Sequence, residues 1–179
     1  MNALYLWLQE EVKCSDLNDF LYEKNLSNVK NKEQAKEDIN ALVDHLLESK
    51  FNHEEVINKK GFRVKLQSLM NPHTHAMFNP NTKEILISPN WLQYLESKLD
   101  ENTAYEFCLS HEVCHLLEND AWFVSYRRRE RRAMLEVVAL MYSQRITNLN
   151  YHPSIFEFGY GLKHKLYTEE DLLIYLKGA

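Results

Sequence analysis

The chain has 179 residues and a mass of 21.3 kDa, enough for one domain to bury a sizeable core. Its 45% hydrophobic and 26% charged content excludes an intrinsically disordered chain. A formal net charge of −5 argues against coating nucleic acid or an anionic membrane, and no stretch approaches the roughly 18 apolar residues of a membrane span.

In chain order, residues 2–12 and 16–24 read as short helices, the second opened by Ser15 or Asp16 as a cap. Between Lys32 and Ser49, Ala35, Ile39, Leu42, Val43, Leu46 and Leu47 recur on a helical period, which predicts an amphipathic helix. Gly61 breaks that pattern. Phe62, Val64 and Leu66 then alternate with Arg63 and Lys65, as in a half-buried strand. The run His75 to Phe78, the turn-rich Asn79 to Thr82 and the run Glu84 to Ser88 predict a hairpin. Ser88 and Pro89 predict the cap and first residue of a helix reaching Leu99. Asn102 or Thr103 opens the next helix, and a long one covers roughly residues 127–147. The last, Thr168 to Lys177, has acids in its first turn and Gly178 past its end. Helices, three strands, then helices imply an α+β fold, mostly helical with a small three-stranded sheet. No repeat or shift in composition divides the chain. Residues 1–179 are therefore expected to form a single domain, with residues 1–30 as the only candidate appendage.

Cys14, Cys108 and Cys114 make an odd count with no framework spacing. The apolar run near the N-terminus, Ala3 to Leu8, is short and lacks a basic segment before it, unlike a secretory leader. Both observations point to the cytoplasm and reduced thiols.

The segment SHEVCHLLE, residues 110–118, contains HEVCH. On a helix, His111 and His115 project from one face a turn apart, where two imidazoles can bind one ion. Glu112 is turned by about 100° from His111, near enough to act as a base beside the ion without ligating it. The plain alternative is a helix face with two solvated histidines. A catalytic zinc usually takes a third protein ligand. The metzincin extension would need Gly at 118 and His at 121, where this chain has Glu118 and Ala121, so that class is excluded. Of the downstream carboxylates, Glu118 lies one turn past His115 on the same helix. Asp120 falls in a turn, and Glu130 stands among arginines that read as a solvated surface. Glu136 is the lone charge in Met134 to Tyr142, and such a residue in a buried helix is costly unless paired or bound to a metal. A salt bridge to Arg132 or Arg145, or a helix with one wet face, would also account for it.

With these residues assembled, the chain resembles the ImmA/IrrE-type metallopeptidases, a gluzincin-like group of cytoplasmic zinc proteases. The likeness spans roughly residues 35–147 and rests on HEVCH, on residues 61–92 and on Glu136-Val137-Val138-Ala139. Residues 61–92 resemble the family's strand, hairpin and short helix ahead of the active-site helix. The chain departs from the family pattern at Cys114, Val137 and Leu140, and lacks a proline often found after the downstream helix. The resemblance implies His111, His115 and Glu136 as ligands of Zn²⁺ and Glu112 as the general base. It implies an endopeptidase cleaving a cytoplasmic protein or peptide, such as a transcriptional repressor, bound as an added strand near residues 75–78 or 84–88. The alternative from another class is a non-proteolytic module of the same fold that sequesters a regulator or an antitoxin-like partner.

Three further features carry expectations. Cys114 reads as a small apolar residue, or as a redox-sensitive neighbour of the metal. Among His73, His75, His152 and His164, His75 is the best candidate to stabilise an oxyanion. The run Arg127 to Arg132 reads as a solvated helix start, although cations there oppose the helix dipole and would suit an acidic partner.

Overall fold

A computed structural model of the chain describes residues 22–118, 122–150 and 152–177. The expected helix over residues 2–12, most of that over 16–24, and Cys14 and Asp120 lie outside them. The fold is α+β. Helices α1 (Lys32–Glu48) and α2 (His53–Lys59) precede strands β1 (Arg63–Leu66), β2 (Ala76–Asn79) and β3 (Glu84–Ile87). Helices α3 (Pro89–Glu96), α4 (Glu101–Leu117), α5 (Arg128–Ile146), α6 (Ser154–Lys163) and α7 (Glu169–Lys177) follow.

The sheet order is β1-β3-β2, with β3 parallel to β1 and antiparallel to β2. The predicted hairpin is β2–β3. Its turn is held by Asn79, whose Oδ1 accepts from the backbone N–H groups of Asn81 and Thr82. Every residue of β3 is buried, as a central strand requires. Arg63 on β1 reaches across to Glu84, with Nη2 2.9 Å from Oε1. Residues 84–87 are therefore closed to an added strand, and that part of the expectation is corrected. The outer edge of β2 is the one beside α4.

Two apolar cores flank α4. On the sheet side, Ile85, Ile87, Trp91, Leu95, Phe107, Val113, Ile155 and Phe156 pack together. On the other, Ala35, Ile39, Val43 and Leu46 of α1 meet Cys114 of α4 and Met134, Val138 and Tyr142 of α5. The buried residues of α4 accordingly surround most of its circumference. His53 of α2 bridges the helices, its Nδ1 2.5 Å from Glu106 Oε1 and its Nε2 2.8 Å from the Tyr142 hydroxyl.

Two helices have no counterpart among the sequence expectations. Helix α2 is capped by Asn52, whose Oδ1 accepts from Glu55 N–H, and carries Glu54 and Glu55 in its first turn. Helix α6 contains Gly159 and Gly161, which weaken a helix, yet seven of its ten residues are buried, and tertiary packing overrides propensity. The cap of α4 is Asp100, not Asn102 or Thr103; its Oδ1 accepts from Thr103 N–H at 3.1 Å.

Glu130 corrects another expectation. It is buried, not solvated, and its carboxylate accepts from the backbone N–H groups of Arg127 and Lys30. It thus closes the first turn of α5 and ties the chain ahead of α1 to it. An acid in this place offsets the exposed Arg127, Arg128, Arg129 and Arg132 at the helix start, which form the solvated face expected of them. The two backbone hydrogen bonds, Lys30's first, hold the Glu130 carboxyl below its ordinary value of 4.5. A folded-state pKa below the unfolded one stabilises the fold above the unfolded value, and that stability is lost as pH falls through the folded value. Glu130→Gln should therefore lower Tm at pH 7. The gap from wild type should close as pH falls from the ordinary value through the lowered folded-state one; a gap that persists unchanged in acid would refute the assignment.

Candidate metal centre

Helix α4 presents His111 and His115 on one face, and the packing of α5 against it brings Glu136 opposite them. The two Nε2 atoms are 3.3 Å apart, and Glu136 Oε2 lies 3.9 Å from His111 Nε2 and 3.8 Å from His115 Nε2. A tetrahedral zinc ion with bonds of about 2.0–2.2 Å holds its ligand atoms about 3.3–3.6 Å apart. The triangle formed by the three residues is within a few tenths of that, and two imidazoles with one carboxylate are donors zinc accepts. Residues 21 apart in sequence thus converge on one point.

The reason for singling out Glu136 needs correction. Its side chain is 50% exposed, so it is not a charge sealed in a buried helix. Helix α5 has a wet face there, open to the cleft that holds the histidines. Arg145 is engaged elsewhere, with Asp44 and Asn40 of α1, and does not compete for Glu136.

Glu118 acts behind the histidines. Its Oε1 is 3.2 Å from His115 Nδ1 and accepts from it, which leaves Nε2 free to ligate. The two rings differ electrostatically. Burial, then the neighbouring His115, pushes the His111 pKa down to about 3. Burial also lowers that of His115, but the Glu118 hydrogen bond and the charges of Glu136, Glu112 and Glu118 outweigh it and raise the value.

Glu112 is 5% exposed. Burial raises its pKa to about 7; the charge of His115 and a hydrogen bond from the Phe78 backbone oppose that rise, and Glu136 adds to it. The sheet register explains the Phe78 contact. Ser88 N–H donates to His75 O at 2.9 Å, so hydrogen-bonded pairs alternate as His75–Ser88, Met77–Leu86 and Asn79–Glu84. The N–H and C=O groups of Ala76 and Phe78 therefore point away from β3, toward α4. Glu112 takes the Phe78 N–H.

A cleft of about 220 Å³ opens on this centre, lined by His111, Glu112, Ala76, His75, Trp91 and Glu157 among others. His75 stacks on Trp91 with centroids 4.1 Å apart and meets Tyr160 edge-on. Burial, then His73 and His164, pushes its pKa down to about 4, so the ring is neutral near pH 7. His73 also lines the cleft. His164 instead stacks on Tyr160, and His152 is fully buried beside Tyr22. Cys114 points into the helical core, and burial raises its thiol far above the ordinary range, so it packs as a small apolar residue.

One cleft residue escaped the reading of the sequence. Glu157 of α6 is the single charge in Ser154 to Leu162, the same signal that drew attention to Glu136. Its side chain is exposed at the cleft mouth, where the protein atoms crowding its base, then the charge of Glu136, raise its pKa.

The chain matches no protein-family model, no curated protein and no solved structure.

The geometry predicts one zinc ion per chain, measurable by metal analysis and by isothermal titration. His111→Ala and Glu136→Ala should each abolish tight binding, and Glu118→Ala should weaken it by about 10–100-fold. Undiminished affinity in Glu136→Ala would remove it from the ligand set.

Proposed function

We propose that this protein is a zinc-dependent endopeptidase that cleaves a regulatory protein, such as a transcriptional repressor. One observation carries the reading: a buried carboxyl, Glu112, stands between a His-His-Glu donor set and an open strand edge. The resemblance to ImmA/IrrE-type metallopeptidases supports the same activity and suggests the class of substrate. The fold is consistent with it, and no helix among the described residues is long and apolar enough to cross a membrane.

His111, His115 and Glu136 would hold the ion, with Glu118 fixing the ring of His115. Zn²⁺, when bound, supplies Lewis-acid polarisation of the attacking water and of the scissile carbonyl. Glu112 takes the proton from that water and passes it to the leaving amine; the Phe78 N–H keeps its carboxyl in place. The neutral ring of His75, clamped by Trp91 and Tyr160, donates to the oxyanion that develops on the carbonyl. An extended peptide pairs with the outward N–H and C=O of Ala76 and the outward C=O of Phe78 as an added strand. Main-chain pairing of this kind positions a bond for cutting with little regard to side chains.

Glu112→Gln keeps the size of the side chain and removes the base. Cleavage of the candidate regulator should fall by about 10²–10⁴, with zinc content and partner binding unchanged. Undiminished cleavage by the variant would remove Glu112 as the base, whereas a regulator left intact by the wild type but still held by it would favour the sequestering module.

The register supplies a second test. Ala76→Pro removes an outward N–H and leaves the β2–β3 ladder intact, so kcat/KM should drop by roughly threefold to tenfold without a change in Tm. Met77→Pro removes a ladder bond and should destabilise the fold instead. Full activity in Ala76→Pro would mean that the peptide does not bind along this edge.

A further inference from the structure

Beyond the metal centre the cleft continues into a second cavity of about 350 Å³. His73, His75 and Glu157 line both spaces, so Glu157 stands where they join. The far walls are largely aromatic and aliphatic: Phe158, Leu166, Tyr167, Leu172 and Tyr175. The volume lies in the range of about 300–1,000 Å³ in which small groups are held.

The cavity is built rather than incidental. Tyr167 lies against Gly161, where any added Cβ would overlap its ring. Its hydroxyl donates to the Glu157 backbone oxygen at 2.6 Å. The ring is thus fixed over the turn of α6 that carries Glu157. The other acid in the cavity, Asp171, is already engaged, since its carboxylate accepts from Thr168 N–H and from the Thr168 hydroxyl at the start of α7. Glu157 has no hydrogen-bond or ion-pair partner for its carboxyl among the described residues. It also stands outside the group that can hold the ion.

A lone carboxylate at the mouth of an aromatic cavity has a defined complement. Long cationic side chains lay an apolar stem along aromatic walls and present a charge at the end. A purely aliphatic side chain would fill the walls but leave the carboxylate unpaired, and an acidic one would be repelled by it. Resting on the peptidase reading above, we propose that this cavity receives a lysine or arginine side chain of the bound peptide, next to the bond to be cut, with Glu157 as its counter-charge.

The test measures binding, so that it stands apart from cleavage. The full chain carrying Glu112→Gln is titrated, with zinc supplied, into fluorescent eight-residue alanine–threonine peptides. Each peptide has one arginine, lysine, norleucine or glutamate, placed at successive positions. At one position the arginine and lysine probes should bind at least about tenfold more tightly than norleucine, and glutamate least well. Adding Glu157→Gln should erase that preference while leaving the norleucine probe's affinity within about twofold, and Glu157→Lys should shift it to the glutamate probe. Equal binding of the arginine and norleucine probes, binding of neither, or a preference that survives Glu157→Gln overturns the proposal. A wild type that selects the basic probes but cuts none of them supports this pocket and overturns the peptidase reading instead.

Discussion

The structure depends on how α4 is held, packed between two apolar cores that together fix its rotation. Val113 and Leu116 face the sheet-side core, Cys114 the core shared with α1 and α5, and Glu112 the outer edge of β2. Turning the helix by one residue, about 100°, would drive a histidine into a dry core and bring a valine or cysteine to the cleft. The two histidines are left half-buried at the lip of the cleft, side by side. Glu136 joins them because α5 is pinned along α1. Glu130 secures one end through Lys30 N–H, Arg145 secures the other through Asp44, and an apolar seam runs between.

This packing concentrates titratable groups that would otherwise repel one another. Glu112, Glu136 and Glu157 share the neighbourhood of His75, His111 and His115, and burial drives His75, His111 and Glu112 toward their neutral forms. A divalent cation reverses that logic: imidazoles remain neutral as ligands while carboxylates gain a reason to ionise. The same argument extends outward to Glu157, whose carboxylate has no hydrogen-bond or ion-pair partner among the described residues.

The strand edge and the centre are linked through a single backbone group. Because hydrogen-bonded pairs alternate along β2 and β3, the Phe78 N–H is free of the sheet and reaches Glu112. A slip of one residue in the hairpin register would point Met77 or Asn79 at α4 and leave Glu112 without its donor. The burial of all of β3 and the Asn79-centred turn therefore bear on the register as well as on the fold.

Much of this was legible in local spacing. The period of Ala35, Ile39, Val43 and Leu46 marks α1, and the turn residues around Asn79 mark the hairpin. The four-residue interval of His111 and His115 places both rings on one face, since a single helix's geometry dictates it. Glu136 stands out in the sequence as a lone charge in an apolar helix, but the residue is half-exposed, because its helix has a wet face beside the histidines. Helix α4 shows no apolar stripe because it is buried on several sides, and α6 was missed because burial outweighed its two glycines. The parallel pairing of β1 with β3, the central place of β3, the engagement of Glu130 and the position of Glu157 depend on contacts between distant segments. By itself the sequence determined the helix that carries the histidines, the hairpin ahead of it and the long helices α1 and α5, through periodicities set within one stretch of backbone. Only the tertiary structure decided which carboxylates meet at the cleft, because that rests on how two cores close around α4.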